Sequence, residues 1–249
     1  MHQLGRDVHA QPNRVGAVSR YRDELWNEIE HIYDAILAHP FLAGLTDGSL
    51  PAPVFQHYVL QDAHYLRDYA RALAVTGAKG DDEDAIVLFS ADAAGAITVE
   101  RSLHAGFVRD FGLSPEQVAA VPVLPTTLAY TSYLLRTAHQ GSFAEAVAVV
   151  LPCYWIYARV GQALLAKGSP DPLFQRWIDT YGGEEFQETV ERVLCIVDRL
   201  GKALSDAERA RFREHVVTTS SYEWLFWDAA WNRESWPAEL CRAVGSTGG

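Results

Sequence analysis

The sequence predicts an all-α protein, built as a single domain in the form of a helical bundle. Apolar residues recur at steps of three and four along most of the chain, which is the spacing of one helix face. Three segment boundaries carry a hydroxyl residue followed three places later by Glu or Gln, the capping-box pattern of a helix start. The sequence has neither a convincing alternating strand pattern nor an Asn-Gly hairpin. Helices joined by short Gly and Pro turns are typical of a bundle with a pocket between its helices.

The first predicted helices follow periodic apolar positions near the start of the chain. The first helix begins at Tyr21, after which four apolar residues share one face: Leu25, Ile29, Ile32 and Ile36. Pro40 and Gly44 are expected to end it. A second helix follows the segment LPAP and continues to Gly77, and a third covers residues 81–110.

Capping boxes mark three of the later helix starts: Ser114 with Gln117, Ser142 with Glu145, and Ser205 with Glu208. Pro115 falls in the first helical position, where the missing amide proton costs nothing. Further helices are predicted over residues 126–139, 143–167, 173–181, 184–204 and 206–231.

Composition and charge narrow the class of protein. The 249 residues are 49% hydrophobic and 21% charged, which is typical of a folded globular protein. The formal net charge is -11 and the basic residues are scattered, so nucleic acid and anionic membranes are not expected as partners. No apolar run approaches the roughly 20 residues that span a bilayer. Residues 1–20 lack any period and are expected to form a loose extension, and residues 237–249 a flexible tail.

Three cysteines, Cys153, Cys195 and Cys241, show no C-x-x-C spacing. The odd count argues against a disulfide framework, and the spacing argues against a zinc knuckle. A reducing cytoplasm is therefore the expected compartment.

Two helical segments place reactive and aromatic side chains together. In QDAHYLRDYARAL, Asp62, Tyr65 and Tyr69 lie at i, i+3 and i+7, so a carboxylate and two phenols share a face. In LPCYWIYARVG, Cys153 and Tyr157 lie at i and i+4. Such a set suits a flat, nitrogen-bearing ring, because aromatic stacking orients the ring and carboxylates bind its protons. Each residue alone is as often a satisfied core group as a functional one.

The thiol of Cys153 follows a proline. Pro152 breaks regular helix geometry, so Cys153 is expected at a kink or at a helix start. The free amide groups of a helix start would stabilise its thiolate and raise its reactivity. The alternative is a buried cysteine that only fills space.

A third candidate lies near the end of the chain. In SSYEWLFWDAAW, Glu223 shares a helix face with Phe226 and Trp227. Desolvation among aromatic rings would raise the pKa of this carboxyl towards neutral, which suits a general acid or base.

The segments LPCYWIYARVG, FQHYVLQDAHYLRDYARAL, YTSYLL and SYEWLFWDAAW resemble the signature segments of the TenA family, the thiaminase II enzymes. The resemblance covers roughly residues 22–236, and it is to the cysteine-containing branch. It implies a haem-oxygenase-like bundle over residues 21–236, usually a homotetramer, that uses neither haem nor metal. It also implies a thiamine-salvage hydrolase that converts 4-amino-5-aminomethyl-2-methylpyrimidine to the hydroxymethylpyrimidine, and that in many members also cleaves thiamine.

The resemblance also implies roles for individual residues. Cys153 would be the nucleophile, Asp62 would hold and protonate the pyrimidine, and Glu223 would be the acid-base carboxylate. The remaining pocket residues are aromatic: Tyr65 and Tyr157 as a sandwich around the ring, Tyr130 and Tyr181 as hydrogen-bonding phenols, and Phe226 as a lining residue. Arg159 departs from the family, in which many members carry an acidic residue at that position.

Two other functions remain open from the residues. One is a metal oxidase on the same fold. Glu28 with His31 and Glu100 near His104 would supply its ligands, together with His57 and His64. Short motifs of this kind, however, often arise by chance. The other open function is that of a binding protein that has lost the reaction. Such a protein would have no need of Cys153, Asp62 and Glu223, and the presence of all three argues against it.

Overall fold

The computed structural model describes residues 20–237, apart from the side chains of residues 99–105 and of residue 115. The described chain forms ten α-helices and contains no strand. In chain order these are α1 (Tyr21–Leu37), α2 (Pro40–Asp47), α3 (Ala52–Ala78), α4 (Glu83–Asp110), α5 (Pro115–Ala119), α6 (Pro125–Gln140), α7 (Phe143–Leu165), α8 (Pro172–Gly182), α9 (Glu184–Ala203) and α10 (Asp206–Trp231). The prediction of an all-α protein is confirmed. Most of the predicted N-terminal extension and nearly all of the predicted C-terminal tail lie outside the described residues.

The three predicted capping boxes are present at the starts of α5, α7 and α10. At α7, for example, the Glu145 amide donates to the Ser142 hydroxyl at 3.2 Å, and the Ser142 amide donates to the Glu145 carboxylate at 2.8 Å. Each box satisfies two backbone donors that a helix start would otherwise leave without partners.

The helix α2 was not predicted. Pro40 and Gly44 do follow the end of α1, but Pro40 occupies the first turn of α2, and the side chain of His39 caps that turn by accepting from the Phe41 amide at 3.2 Å. Gly44 lies inside α2. A glycine suits this position because the backbone of Leu50 comes within 3.0 Å of the place where a Cβ atom would stand. Gly48, with φ of 78°, ends the helix.

The expectation of a helix start at Cys153 is wrong. Pro152 and Cys153 both lie in the interior of α7, which begins at Phe143. The turn before the proline consists of fully buried apolar residues, Val149, Val150 and Leu151. Their burial offsets the loss of the backbone hydrogen bond that a proline removes.

The helix α7 forms the centre of the bundle and packs against α3, α6, α8, α9 and α10. With 23 residues and a mean hydropathy of 1.4 in its most apolar window, it is long and apolar enough to cross a membrane by length and composition. However, 83% of that window is buried inside the bundle, so its apolar character is accounted for by core packing.

Gly161 fixes how closely α7 and α8 approach each other. A Cβ atom at this position would lie 2.4 Å from the carbonyl carbon and oxygen of Tyr181. Only a glycine therefore allows this helix pair, which carries Tyr157 and Tyr181, to pack as it does.

We expect Gly161→Ala to lower the free energy of unfolding by roughly 1–3 kcal/mol, the usual cost of overpacking. Urea unfolding followed by circular dichroism measures this loss. Gly95→Ala is the matched control, since nothing lies within 4 Å of its Cβ position in α4 and alanine favours a helix interior. Equal stability of the two variants would contradict the assigned role of Gly161.

Candidate active site

A cavity of about 600 Å³ opens between α3, α4, α7, α8 and α9. Its volume is typical of small-molecule sites. Five of the residues predicted from the sequence line it: Asp62, Tyr65, Cys153, Tyr157 and Tyr181. The structure thus brings together residues from α3, α7 and α8 that are far apart in the chain.

Two phenols surround the thiol of Cys153. The hydroxyls of Tyr65 and Tyr69 both lie close enough to the sulfur to favour its ionised form. The Tyr69 hydroxyl also donates to the carbonyl oxygen of Val150 at 3.0 Å. The Tyr65 hydroxyl is buried and forms no well-directed hydrogen bond among the described residues, so its contact with the sulfur is loose. It is placed to bond a ligand in the cavity.

The pKa of the Cys153 thiol is raised well above its ordinary value. Burial is the largest cause, and the negative charges of Glu223 and Asp62 add to it, while the two phenols lower it. The expectation of a stabilised thiolate is therefore wrong. The thiol is buried in the middle of a helix rather than placed at a helix start, so it holds its proton at neutral pH.

Glu223 from α10 is 1% exposed. Desolvation, with a smaller contribution from the charge of Asp62, raises the pKa of its carboxyl to about 8, although a hydrogen bond from the Tyr130 hydroxyl at 2.5 Å acts to lower it. The sequence prediction of a raised pKa at Glu223 is confirmed. At neutral pH this carboxyl group carries a proton that it can donate, after which it can act as a base.

Tyr130 and Phe226 lie in a layer behind the cavity wall. The ring of Tyr65 packs against both, with its centroid 4.9 Å from that of Tyr130 and 5.6 Å from that of Phe226. Phe226 therefore supports the wall rather than lining the cavity as expected. Glu223 still interacts with the thiol of Cys153 through its charge.

Tyr58 is a supporting residue that the sequence analysis missed. Its hydroxyl lies 3.2 Å from that of Tyr157, and its ring stacks on Trp227 at 5.0 Å between centroids. The signal was present, because Tyr58 precedes Asp62 and Tyr65 at helical spacing. Tyr157 also packs against Tyr181 at 4.9 Å, which fixes one end of the cavity.

Asp92 from α4 was also missed. It lines the cavity and accepts a hydrogen bond of 2.7 Å from the hydroxyl of Tyr154, the residue after Cys153. Burial raises the pKa of Asp92. No motif in the sequence of α4 indicated this position.

Arg159, the departure from the family pattern, points away from the cavity. Its guanidinium lies over the ring of Trp26 at 4.4 Å, beside a separate groove of about 350 Å³ between α1, α7 and α9. It therefore takes no part in an ion pair at the candidate site.

The residues considered for a metal site do not converge, as far as their side chains are described. Glu28 pairs with Arg213 at the surface at 3.4 Å, and the His64 ring lies 2.9 Å from the Val121 carbonyl oxygen. The side chains of Glu100 and His104 lie outside the described ones. Among the side chains that are described, no group of three or more His, Cys, Asp or Glu residues could hold a metal ion.

Comparison with known proteins agrees with the geometry of the site. A family model for the TENA/THI-4/PQQC family matches residues 26–233. The chain belongs to the TENA/THI-4/PQQC family. The family model therefore spans all the helices that carry the candidate site residues.

Several members of the family resemble the chain over nearly their whole length. The aminopyrimidine aminohydrolase of Bacillus subtilis is 34% identical over 229 residues, which cover 92% of this chain and 97% of the relative. The aminopyrimidine aminohydrolase of Halalkalibacterium halodurans is 37% identical over 214 residues, covering 85% and 96%.

Solved structures confirm the haem-oxygenase-like fold. A TenA homologue from P. horikoshii superposes with a TM-score of 0.78 at 29% identity, over 86% of this chain and 99% of its own. A domain with a haem-oxygenase-like fold from Shewanella denitrificans superposes with a TM-score of 0.66 at 16% identity, over 92% and 98%.

We expect Glu223→Gln to remove a pH dependence of stability. In the folded protein the carboxyl keeps its proton up to about pH 8, whereas its ordinary pKa is 4.5. Unfolding between these values releases a proton, so the free energy of unfolding of the wild type falls as pH rises, by up to about 1.4 kcal/mol per pH unit. Urea unfolding at several pH values measures the difference between variant and wild type. A difference that stays constant from pH 5 to about 8 would show that Glu223 titrates at its ordinary pKa.

Proposed function

We propose that this protein is a thiamine-salvage hydrolase. It would convert 4-amino-5-aminomethyl-2-methylpyrimidine and water to the hydroxymethylpyrimidine and ammonia, and cleave thiamine to the same pyrimidine and the thiazole. The observation that carries the proposal is that Cys153 and Asp62 line one aromatic-walled cavity, with the protonated Glu223 close enough to interact with both through its charge. The aminohydrolases named above, which are similar over nearly their whole length, support it.

The raised pKa of Cys153 favours addition of the neutral thiol over attack by a preformed thiolate. The sulfur would add to a carbon of the pyrimidine ring while the thiol proton passes, through Asp62, to a ring nitrogen. Because the sulfur and its proton both add to the ring, the adduct is neutral, and the step avoids forming a thiolate beside the carboxyl groups. Tyr65 and Tyr157 would hold the ring in the cavity.

Glu223 would then act twice. Its proton goes to the departing amine on the exocyclic carbon, and its carboxylate next takes a proton from the water that replaces the amine. Release of the Cys153 sulfur restores the aromatic ring and the thiol. The pKa of about 8 at Glu223 suits both directions of transfer near neutral pH.

The assembly and location of the protein belong to the same proposal. Residues 21–236 would form the catalytic domain of a cytoplasmic homotetramer. The free thiols of Cys153 and Cys195 are consistent with a reducing compartment. Exposed large apolar side chains on the described surface offer contact area for subunits: Ile86, Val87, Leu128, Leu165 and Leu225.

We expect Cys153→Ser to lower turnover of the aminomethylpyrimidine by several orders of magnitude, because a serine hydroxyl is a far weaker nucleophile than a thiol. Ammonia release and formation of the hydroxymethylpyrimidine measure it. Cys195→Ser is the matched control, since Cys195 is exposed and does not line the cavity, and it should keep wild-type turnover. Near-normal turnover in Cys153→Ser would remove the thiol from the mechanism.

A further inference from the structure

The cavity extends well beyond the residues that would hold a pyrimidine. From Cys153 it continues to α4 and to the start of α9, and its volume of about 600 Å³ is that of a site for a drug-sized ligand rather than for a single substituted ring. On α4 the lining residues are small apart from Asp92: Ala91, Gly95 and Ala96. A Cβ atom at Gly95 would meet nothing within 4 Å, so open space lies beside Asp92 on the same helix face.

The lining of this extension is negatively charged. Besides Asp92, three exposed carboxylates surround its mouth: Asp179, Glu184 and Glu185. Among the side chains that the structure describes, the lining includes no Lys or Arg. The positive charge of the exposed Arg192 of α9 acts on Asp92, but the Arg192 side chain does not line the cavity. Such a lining attracts cations and repels phosphate groups.

Asp92 differs from the three carboxylates at the mouth because it is partly buried and held in place. The Tyr154 hydroxyl donates to one of its carboxylate oxygens at 2.7 Å, and the Tyr154 ring packs against that of Tyr69 with centroids 5.9 Å apart. Tyr69 in turn contacts Cys153. The chain of contacts fixes a carboxylate at a defined place relative to the thiol.

We propose that Asp92 is a specificity-determining residue, which selects substrates whose leaving group is a bulky heteroaromatic cation that carries no phosphate. The inference rests on the proposed function, because it assumes that the pyrimidine part of the substrate lies at Cys153. The cationic ring would then fill the space over Gly95, against the Asp92 carboxylate. Tyr154 acts as a positioning residue for Asp92.

Binding to the Cys153→Ser protein tests the proposal without turnover. Calorimetry would compare this protein with the Cys153→Ser/Asp92→Asn double variant, using thiamine, thiamine monophosphate and the aminomethylpyrimidine. We expect Asp92→Asn to weaken thiamine binding about tenfold, as for loss of one charge-assisted contact. Binding of the aminomethylpyrimidine should change less than about twofold, and the preference for thiamine over its phosphate should fall. Asp84→Asn, which removes a carboxylate of α4 outside the cavity, should change none of these.

Two results would overturn the proposal. Equal losses for thiamine and the aminomethylpyrimidine would mean that Asp92 only supports the fold of the site, and unchanged thiamine binding would mean that it contacts no cation. Steady-state kinetics of the wild type separates this inference from the proposed function. If the wild type hydrolyses neither substrate but Asp92→Asn still weakens thiamine binding selectively, the proposed function fails and the cation subsite stands.

Discussion

The thiol of Cys153 and the carboxyl groups of Asp62 and Glu223 lie close enough to interact through their charges, so a negative charge on either carboxyl group makes the thiol harder to ionise. Burial and mutual repulsion keep protons on the thiol and on Glu223 at neutral pH. This distribution of protons decides the chemistry of the site. It favours a reaction in which the Cys153 thiol loses its proton as it attacks, next to a Glu223 carboxyl group that is already protonated.

The bundle creates this constraint by bringing one group from each of three helices against a wall of aromatic rings. Asp62 comes from α3, Cys153 from α7 and Glu223 from α10, while the phenols of Tyr65 and Tyr130 lie between them. The rings exclude water, which raises the free energy of every charge placed there. They also supply the hydroxyl groups that offset part of that cost. The apolar α7 at the centre of the bundle therefore serves stability and reactivity together.

Most of the helices could be predicted because their signals are local: apolar spacing and caps such as Ser142 with Glu145 act within a few residues. The raised pKa of Glu223 could be predicted as well, since its aromatic neighbours lie on its own helix. The protonation state of the Cys153 thiol could not be predicted. Pro152 suggested a helix start that the continuous α7 does not have, and the thiol is kept protonated by burial in the bundle and by carboxyl groups of other helices. Asp92 was missed for the same reason, since only the fold, in which α4 packs on α3, brings it to Tyr154 of α7.

The measurement that tests this account most directly is the rate of alkylation of Cys153 by a neutral reagent as a function of pH, in a protein whose other two cysteines are replaced by serine. The account predicts a rate that keeps rising beyond pH 9, the ordinary pKa of a thiol, without reaching a plateau. Adding Glu223→Gln should move the rise to lower pH, because it removes a nearby negative charge. A rate that is already constant below about pH 8 would show that the thiolate is stabilised in the free protein, and it would contradict the claim that burial and the nearby carboxyl groups keep the thiol neutral.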